Sequence, residues 1–235
     1  MNHHLFTVSN DAKTVKGEAH GWLTAVLYLA PADLSGTNVC PRSTPECRAL
    51  CLNTAGRGAF NMVQEARLRR THEYLQDSGG FARRLAEEVE HWRMRGLRKG
   101  MRLAVRVNGT SDLPALARRV ADRSLSEVRF YDYTKILGAI PLGNKGPIHY
   151  TFSRSERNDA DCIAALDHGA NVAVVFSTKR GEALPKEYRL GASCFKVIDG
   201  DEHDLRFLDK RHAVIVGLRA KGRARKHVGG FVVQV

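Results

Sequence analysis

The sequence has few cysteines, no long apolar run and no stretch of biased composition. Five of its 235 residues are cysteines. No apolar run approaches the roughly 20 residues that a membrane-spanning helix needs, which excludes a helical membrane protein. The first residues also lack the basic stretch and apolar core of a secretion signal. We therefore expect a cytoplasmic protein without a membrane partner, whose cysteines are ligands or reactive thiols rather than disulfides.

Motifs that identify several common function classes are missing as well. There is no internal repeat and no helix-turn-helix, zinc-finger or RNA-recognition signature, which argues against a sequence-specific reader of nucleic acid. The H-x-E and H-E-x-x-H spacings are absent too, so a zinc-dependent hydrolase or deaminase is the weakest hypothesis.

Positive charge is present in excess. Thirty-seven Lys and Arg residues against 25 Asp and Glu residues give a net charge of +12. A basic chain favours polyanionic partners such as DNA or nucleotides, although a basic surface also serves solubility alone. The cations concentrate in two clusters, one at Arg67, Arg69 and Arg70 and the other over residues 219–226.

Short apolar runs alternate with helical patterns along the chain. The runs cover residues 22–30, 103–107, 128–133, 149–152, 172–176, 195–198, 213–218 and 231–235, and most indicate strands buried on both faces. Helical stripes are predicted over residues 61–75, 81–97, 113–120 and 159–166. This order predicts an α/β fold with a parallel sheet, as a partial or full (βα) barrel. A doubly wound open sheet is the alternative.

The first twenty residues are polar and show no clear period. We expect residues 1–20 to form an N-terminal arm or a short first strand, and residues 21–235 to form a single barrel-like domain. Residues 136–147 contain two prolines and three glycines, which predicts a loop.

Cys40, Cys47 and Cys51 stand together in a loop after the first predicted strand, at C-x6-C-x3-C spacing. Thr44 and Pro45 suit the N-cap and first residue of a helix, which would put Cys47 and Cys51 on one face of it. Three thiolates are one ligand short of a closed tetrahedral site, and an open position is typical of a catalytic centre. We expect a [4Fe-4S] cluster with one open iron. A zinc ion completed by a His or Asp, or three incidental thiols, are the alternatives.

The two remaining cysteines, Cys162 and Cys194, stand alone. Cys162 falls on the apolar side of a predicted helix and Cys194 opens a predicted strand. We expect both to be core residues.

Polar side chains follow nearly every predicted strand. Because the carboxyl ends of parallel strands meet at one edge, we expect these side chains to share a pocket. Lys135 could bind phosphate there, or act as a base, or be a solvated surface lysine. Asp201 could supply acid–base chemistry or a ligand of a divalent ion, or belong only to a turn around Gly200.

Five segments resemble an uncharacterised family from bacteriophages and their hosts, named after a phage gene product with the number eighty-eight. They are Leu34–Cys51, Asn108–Asp112, Phe130–Lys135, Thr151–Glu156 and Asp199–Asp201. The resemblance implies a protein of phage origin, acting in the host cell cytoplasm, and transfers no function.

The predicted architecture also resembles that of radical S-adenosylmethionine enzymes, whose first βα loop carries three cysteines for a [4Fe-4S] cluster. The resemblance implies S-adenosyl-L-methionine as a cofactor and an electron donor as a partner. This chain departs from that pattern, because the common spacing is C-x3-C-x2-C and because no Gly-Gly-Glu follows the second predicted strand.

The same resemblance implies binding roles by position. Asn108, Thr110, Ser111 and Asp112 correspond in place to the motif that holds the methionine amine, and Ser153, Ser155 and Glu156 to ribose contacts. Each could instead be a turn or a helix cap. Lys135, Glu156 and Asp201 are the predicted catalytic residues.

Two function classes therefore remain. The first is an iron–sulfur enzyme of radical S-adenosylmethionine type, or a close relative, acting on a nucleotide or a DNA base. The second is a non-catalytic basic nucleic-acid-binding protein with a structural or redox-sensing metal centre.

Overall fold

A computed structural model describes residues 4–9, 12–210 and 212–235. The described residues form ten strands and six α-helices, joined by short 3-10 turns. The strands are β1 (Phe6–Val8), β2 (Trp22–Leu27), β3 (Arg102–Arg106), β4 (Arg129–Thr134), β5 (Ile148–Ser153), β6 (Asn171–Phe176), β7 (Glu187–Leu190), β8 (Ser193–Asp199), β9 (Ile215–Arg219) and β10 (Val232–Val233). The helices are α1 (Ala12–Lys16), α2 (Pro45–Ala49), α3 (Asn61–Gln76), α4 (Ser78–Leu97), α5 (Pro114–Ala121) and α6 (Asp159–Asp167).

The strands form one mostly parallel sheet in the order β1-β2-β3-β4-β5-β6-β9-β8-β7, with β10 also paired to β6. Only β1 and β7 pair antiparallel with their neighbours. Strands β1 and β7 are the two ends of this order and do not pair with each other within the described residues, so the sheet is not closed. The α/β class and the parallel sheet are confirmed, and a barrel is not.

Every predicted strand and helix has a counterpart in the structure. Part of the predicted N-terminal arm is strand β1, so the short-strand alternative is confirmed there, while residues 1–3, 10 and 11 lie outside the described residues. Cys162 is buried in the main core as expected, but Cys194 is exposed, so that prediction was wrong. The reason is position: Cys194 lies on the β7–β8 hairpin at the end of the sheet order.

The two faces of the sheet differ because alternate side chains of a strand point to opposite faces. One face, which we call the helix face, carries Leu23, Leu103 and Phe152 and packs against α4, α5 and α6 in the main apolar core. The opposite face, which we call the polar face, carries Arg106, Tyr131, Tyr133 and Thr151. On the polar face, Leu205 and Phe207 from the segment after β8 pack on Trp22, Ala104 and Tyr131.

Helix α4 shows how local sequence fixes the helix face. The Asp77 side chain caps the helix by accepting a hydrogen bond from the Gly80 N–H at 2.8 Å. Phe81, Leu85 and Val89 then recur at helical spacing and are buried against the sheet. None of the helices in the described part of the chain is both long and apolar enough to span a membrane.

Candidate metal centre

Cys40 is held at the carboxyl end of β2 by a closed loop of backbone. The Val39 N–H donates to the Ala32 carbonyl at 3.0 Å, which returns the chain to its starting point. The Cys40 sulfur accepts a hydrogen bond from the Ala32 N–H at 3.3 Å and lies 3.5 Å from the Thr110 carbonyl oxygen. This thiol therefore sits between the segments that follow β2 and β3.

Cys47 lies on the short helix α2. Thr44 is the N-cap, and its hydroxyl accepts a hydrogen bond from the Cys47 N–H at 3.3 Å. Pro45 occupies the first helical turn, so the predicted helix start is confirmed.

The helix ends at Ala49, so Cys51 is not on the same helix as Cys47, and that prediction was wrong. Leu50 leaves the helical conformation and packs with Ala220, Ala224 and Val232 instead. Burial of the Leu50 side chain against the ends of neighbouring strands thus turns the chain, and Cys51 opens the next 3-10 turn.

A buried amide anchors the turn that follows Cys51. Asn53 is buried, and Arg67 from α3 donates hydrogen bonds both to its carbonyl oxygen, at 2.9 Å, and to its side-chain oxygen. Gln64 donates to the same carbonyl at 2.9 Å. Residues 40–53, which we call the cysteine segment, are therefore hydrogen-bonded to α3 through Asn53.

Asp112 joins three segments around the thiols. Its carboxylate accepts hydrogen bonds from the Thr134 hydroxyl and the Lys135 N–H, both at 2.8 Å. Its own N–H donates to the Val39 carbonyl at 2.9 Å. The ends of β3 and β4 are thus tied to the loop that carries Cys40.

The three thiols are close enough to influence one another. The pKa of Cys40 is raised to about 11, mainly by burial and in smaller part by the charges of Cys51, Asp112 and Cys47, while the hydrogen bond from the Ala32 N–H opposes the rise. Burial also raises the pKa of Cys51, with Cys47 acting in the same direction. Beside the Cys47 sulfur lies Lys135, where burial lowers the pKa but Cys47 and Asp112 raise it more. Lys135 therefore lies among the thiols and the Asp112 carboxylate, and Arg67 is a second cation that acts on Cys51.

The donor atoms suit a thiolate-binding metal, but their arrangement is not that of a ligand set. Among the residues that the structure describes, no three His, Cys, Asp or Glu side chains form a group that could hold a metal ion. The thiols are partly buried rather than sealed in apolar surroundings. The three cysteines are therefore near one another, but they are not arranged as the ligands of one metal ion.

The segment after β3 uses its polar side chains internally. Asn108 donates from its N–H and its side-chain amide to Asp132, at 3.0 and 2.8 Å. Its side-chain oxygen accepts hydrogen bonds from the Ser111 hydroxyl and the Leu113 N–H, each at 2.8 Å. The Thr110 hydroxyl donates to the Leu29 carbonyl at 2.5 Å. These contacts start α5, while the predicted cofactor roles of Asn108, Thr110 and Ser111 stay predictions.

Glu156 comes shortly after β5 in the chain, and its side chain lies at the start of α2. One carboxylate oxygen accepts a hydrogen bond from the Thr44 hydroxyl at 2.7 Å, and the other accepts from the Glu46 N–H at 3.3 Å. Of the two predicted serines, Ser153 is half-buried, and Ser155 is buried with no partner for its hydroxyl within the described residues. An unpaired buried hydroxyl needs a ligand or water.

Residues 227–233 close over α2, and we call this segment the clasp. The Glu46 carboxylate accepts a hydrogen bond from the Phe231 N–H at 2.8 Å and lies 2.8 Å from His227 Nε2. Arg154 donates to the Gly230 carbonyl at 2.7 Å. A side chain at Gly230 would place its Cβ 2.8 Å from that of Glu156, so only glycine allows this approach.

Asp201 belongs to a separate charged group after β8. Its carboxylate lies 2.9 Å from the Lys221 ammonium and accepts a hydrogen bond from the Arg219 N–H at 3.0 Å. Arg219 also pairs with Asp199 at 2.9 Å. The structure thus brings Lys135 and Glu156 to the cysteine segment, and places Asp201 beside the second basic cluster.

A charged group on the polar face was not anticipated. Arg106 pairs with Asp204 at 3.2 Å and lies 3.7 Å from Asp132. Its guanidinium also lies 4.5 Å from the centre of the Tyr133 ring, and the Tyr131 hydroxyl donates to Asp204 at 2.9 Å. The available signal was an arginine inside an otherwise apolar run, which requires a buried partner.

Comparison with known proteins identifies the family alone. A family model described as Gene product 88 matches residues 4–234. No curated protein and no solved structure matches the chain. The predicted phage family is confirmed, and none of these comparisons supports the resemblance to radical S-adenosylmethionine enzymes.

Proposed function

We propose that this chain, which belongs to the Gene product 88 family, is an iron–sulfur enzyme. Cys40, Cys47 and Cys51 would hold a [4Fe-4S] cluster and leave one iron open. The observation that carries the proposal is the convergence of three thiols from three different local structures around Lys135. Such grouping is not needed for packing, since Cys162 is a core thiol that stands among apolar residues.

Binding the cluster requires local rearrangement, because the three thiols do not stand in ligating geometry. The cysteine segment has room for this movement: all three thiols are partly accessible, and α2 has only five residues. The cluster would supply one-electron reduction, with S-adenosyl-L-methionine as the proposed co-substrate and an external electron donor as partner.

The chain's own residues fix and balance this centre. Lys135 supplies the positive charge beside the thiolates, and because its pKa is raised we assign it the role of proton donor rather than base at the site. Glu156 acts as a positioning residue, since both of its oxygens are used at the start of α2. Asp201 acts further out by holding Arg219 and Lys221. Asp112 keeps the β3 and β4 ends against the Cys40 loop.

The proposed substrate is a nucleotide or a DNA base. The net charge of +12 favours a polyanion. The buried Ser155 hydroxyl, which lacks a partner within the described residues, offers a hydrogen bond to a bound ligand beside Glu156. Ser153 and Ser155 are the proposed contacts to the ribose, and Asn108, Thr110, Ser111 and Asp112 those to the co-substrate.

The test is anaerobic purification followed by iron and sulfide analysis and absorption spectroscopy. We expect about four irons per chain after reconstitution, and loss of the brown chromophore in each of Cys40→Ala, Cys47→Ala and Cys51→Ala. Cys194→Ala is the matched control, because it removes an exposed thiol elsewhere and should keep the chromophore. A colourless wild-type protein that iron and sulfide cannot reconstitute would contradict the proposal.

The second candidate is a non-catalytic nucleic-acid-binding protein with a structural or redox-sensing metal. Exposed cations at Arg223 and Arg225, close to the cysteine segment, favour it. The two candidates differ in turnover: the enzyme should release 5′-deoxyadenosine from S-adenosylmethionine when dithionite is added, and the binding protein should not.

A further inference from the structure

Two surface segments without acidic residues lie side by side next to the cysteines. Residues 50–62 and 220–228 contain no Asp or Glu. They are in contact, because Leu50 packs with Ala220 and Ala224, and a Cβ on Gly222 would lie 3.3 Å from the Ala55 side chain. We call these two segments together the basic rim.

The cations of residues 219–226 are of two kinds, paired and unpaired. Arg219 and Lys221 are paired with Asp199 and Asp201. Arg223, Arg225 and Lys226 are exposed and form no ion pair with any residue that the structure describes. Three adjacent positive charges are therefore available to an external anion.

The other half of the basic rim exposes apolar side chains. Leu52 is 56% exposed, Phe60 63% and Met62 81%. Phe60 immediately precedes α3, whose first residue is Asn61, and its ring has no packing role in the apolar core clusters of the described chain. Exposed aromatic rings beside unpaired cations are the arrangement on which single-stranded nucleic acids bind, with bases stacked and phosphates neutralised.

We propose that the basic rim binds single-stranded nucleic acid, with Arg223, Arg225 and Lys226 on the phosphates and Phe60 stacked on a base. The inference names the substrate class for the enzyme proposed above and rests on that function for its catalytic meaning. A single strand is favoured over a duplex because a stacked base in a duplex has no free face for Phe60.

The other basic cluster of the sequence does not compete for this role. Arg67 is buried and bound to Asn53, and Arg69 lies 4.0 Å from Glu73. Arg70 is half-buried. Of the two clusters found in the sequence, the one after β9 is therefore the one that presents free charge.

The test is fluorescence anisotropy with a labelled oligothymidylate of about 16 nucleotides and with a duplex of equal length. Binding should weaken with salt, and Arg223→Gln/Arg225→Gln should make the plot of log affinity against log salt less steep by roughly 1.4, or 0.7 per lost contact. Phe60→Ala should weaken single-strand binding roughly 5- to 150-fold and leave duplex binding unchanged. Arg98→Gln/Lys99→Gln removes two exposed charges after α4 and should change neither.

Four results would overturn the inference. They are no binding of the oligothymidylate by the wild type, equal weakening by the two double variants, an unchanged affinity in Phe60→Ala, and binding only to vesicles of phosphatidylcholine and phosphatidylserine. Iron analysis of the same preparations separates this inference from the proposed function. Protein that binds the single strand but holds no iron after reconstitution would support binding by the basic rim and contradict the proposed cluster. Iron-loaded protein that does not bind the single strand would support the cluster and contradict binding by the basic rim.

Discussion

The two faces of the one sheet are built on different principles. The helix face packs Leu103, Phe152 and their neighbours against α4, α5 and α6 in the main apolar core. The polar face carries Arg106, which pairs with Asp204 and approaches Asp132 to 3.7 Å, and is covered by irregular segments. The difference teaches that the two faces are stabilised in different ways, by apolar packing against helices on one side and by a buried ion pair beneath irregular segments on the other.

The largest effect is expected from breaking the ion group of the polar face. Arg106→Leu removes the cation that pairs with the buried Asp204 and approaches the buried Asp132, which should reduce the free energy of unfolding by about 3–5 kcal/mol. Urea unfolding followed by circular dichroism measures this loss. Arg118→Leu is the control, because its pair with Asp122 is exposed and contributes less than about 1 kcal/mol. Equal losses in the two variants would contradict the comparison.

A cavity in the helix face should reduce the free energy of unfolding by somewhat less. Leu85→Ala removes a fully buried side chain of α4, and we expect a loss of about 3 kcal/mol in the same urea experiment. The iron content per folded chain should stay at the wild-type value, because no residue of the cysteine segment contacts Leu85 in the main core. A variant that folds but loses iron would show that the two faces are coupled.

The buried carboxyl group of Asp132, which lies near Arg106, should also respond to pH. Burial raises the pKa of Asp132 to about 7, although Arg106 and Asn108 oppose this shift. The folded protein therefore holds a proton that the unfolded chain releases between about pH 4 and pH 7, and stability from this group is lost as the pH rises through that window. Asp132→Asn should remove this dependence.

The measurement is the difference in unfolding free energy between wild type and Asp132→Asn at several pH values. Relative to the variant, the wild type should lose up to about 1.4 kcal/mol per pH unit in that window. His149, whose pKa burial lowers to about 4, has the opposite sign but is present in both proteins and cancels. A difference that does not change with pH would contradict the assignment.

The smallest effect is expected at the helix that carries Cys47. Thr44→Ala removes the N-cap of α2 and the hydroxyl bound by Glu156, which should cost about 1 kcal/mol of stability. Thr44→Ser keeps the hydroxyl and is the control. We expect iron retention to fall more than stability in Thr44→Ala, since α2 positions a proposed ligand. A loss of stability without loss of iron would make the cap purely structural.

Local sequence patterns predicted most of the strands and helices. The features that these patterns did not predict depend on contacts between residues far apart in the sequence. Apolar runs located eight strands, and Thr44 with Pro45 located the start of α2, because these signals act within a few residues. Strand β7 was missed because its side chains are largely exposed and polar at the end of the sheet order. Whether the sheet closes depends on the pairing of β1 and β7, which no local pattern reports.

The candidate site was predicted in part for the same reason. The grouping of the three cysteines with Lys135 followed from the rule that parallel strands end at one edge. The exit of Cys51 from α2 depends on Leu50 packing against residues about 170 positions away, which spacing does not reveal. Glu156 looked like a ligand contact in sequence because its partners, Thr44 and the Glu46 N–H, are more than 100 residues distant.

The clasp also has a consequence for the order of events during synthesis. Glu46 and Phe231 are separated by 185 positions, so the ribosome delivers α2 and the three cysteines long before the segment that closes over α2. In the nascent chain α2 is without its cover, and an iron–sulfur carrier would have free access to the thiols. For the proposed cluster, this order of synthesis would leave an interval for loading that ends when residues 232–233 add to β6.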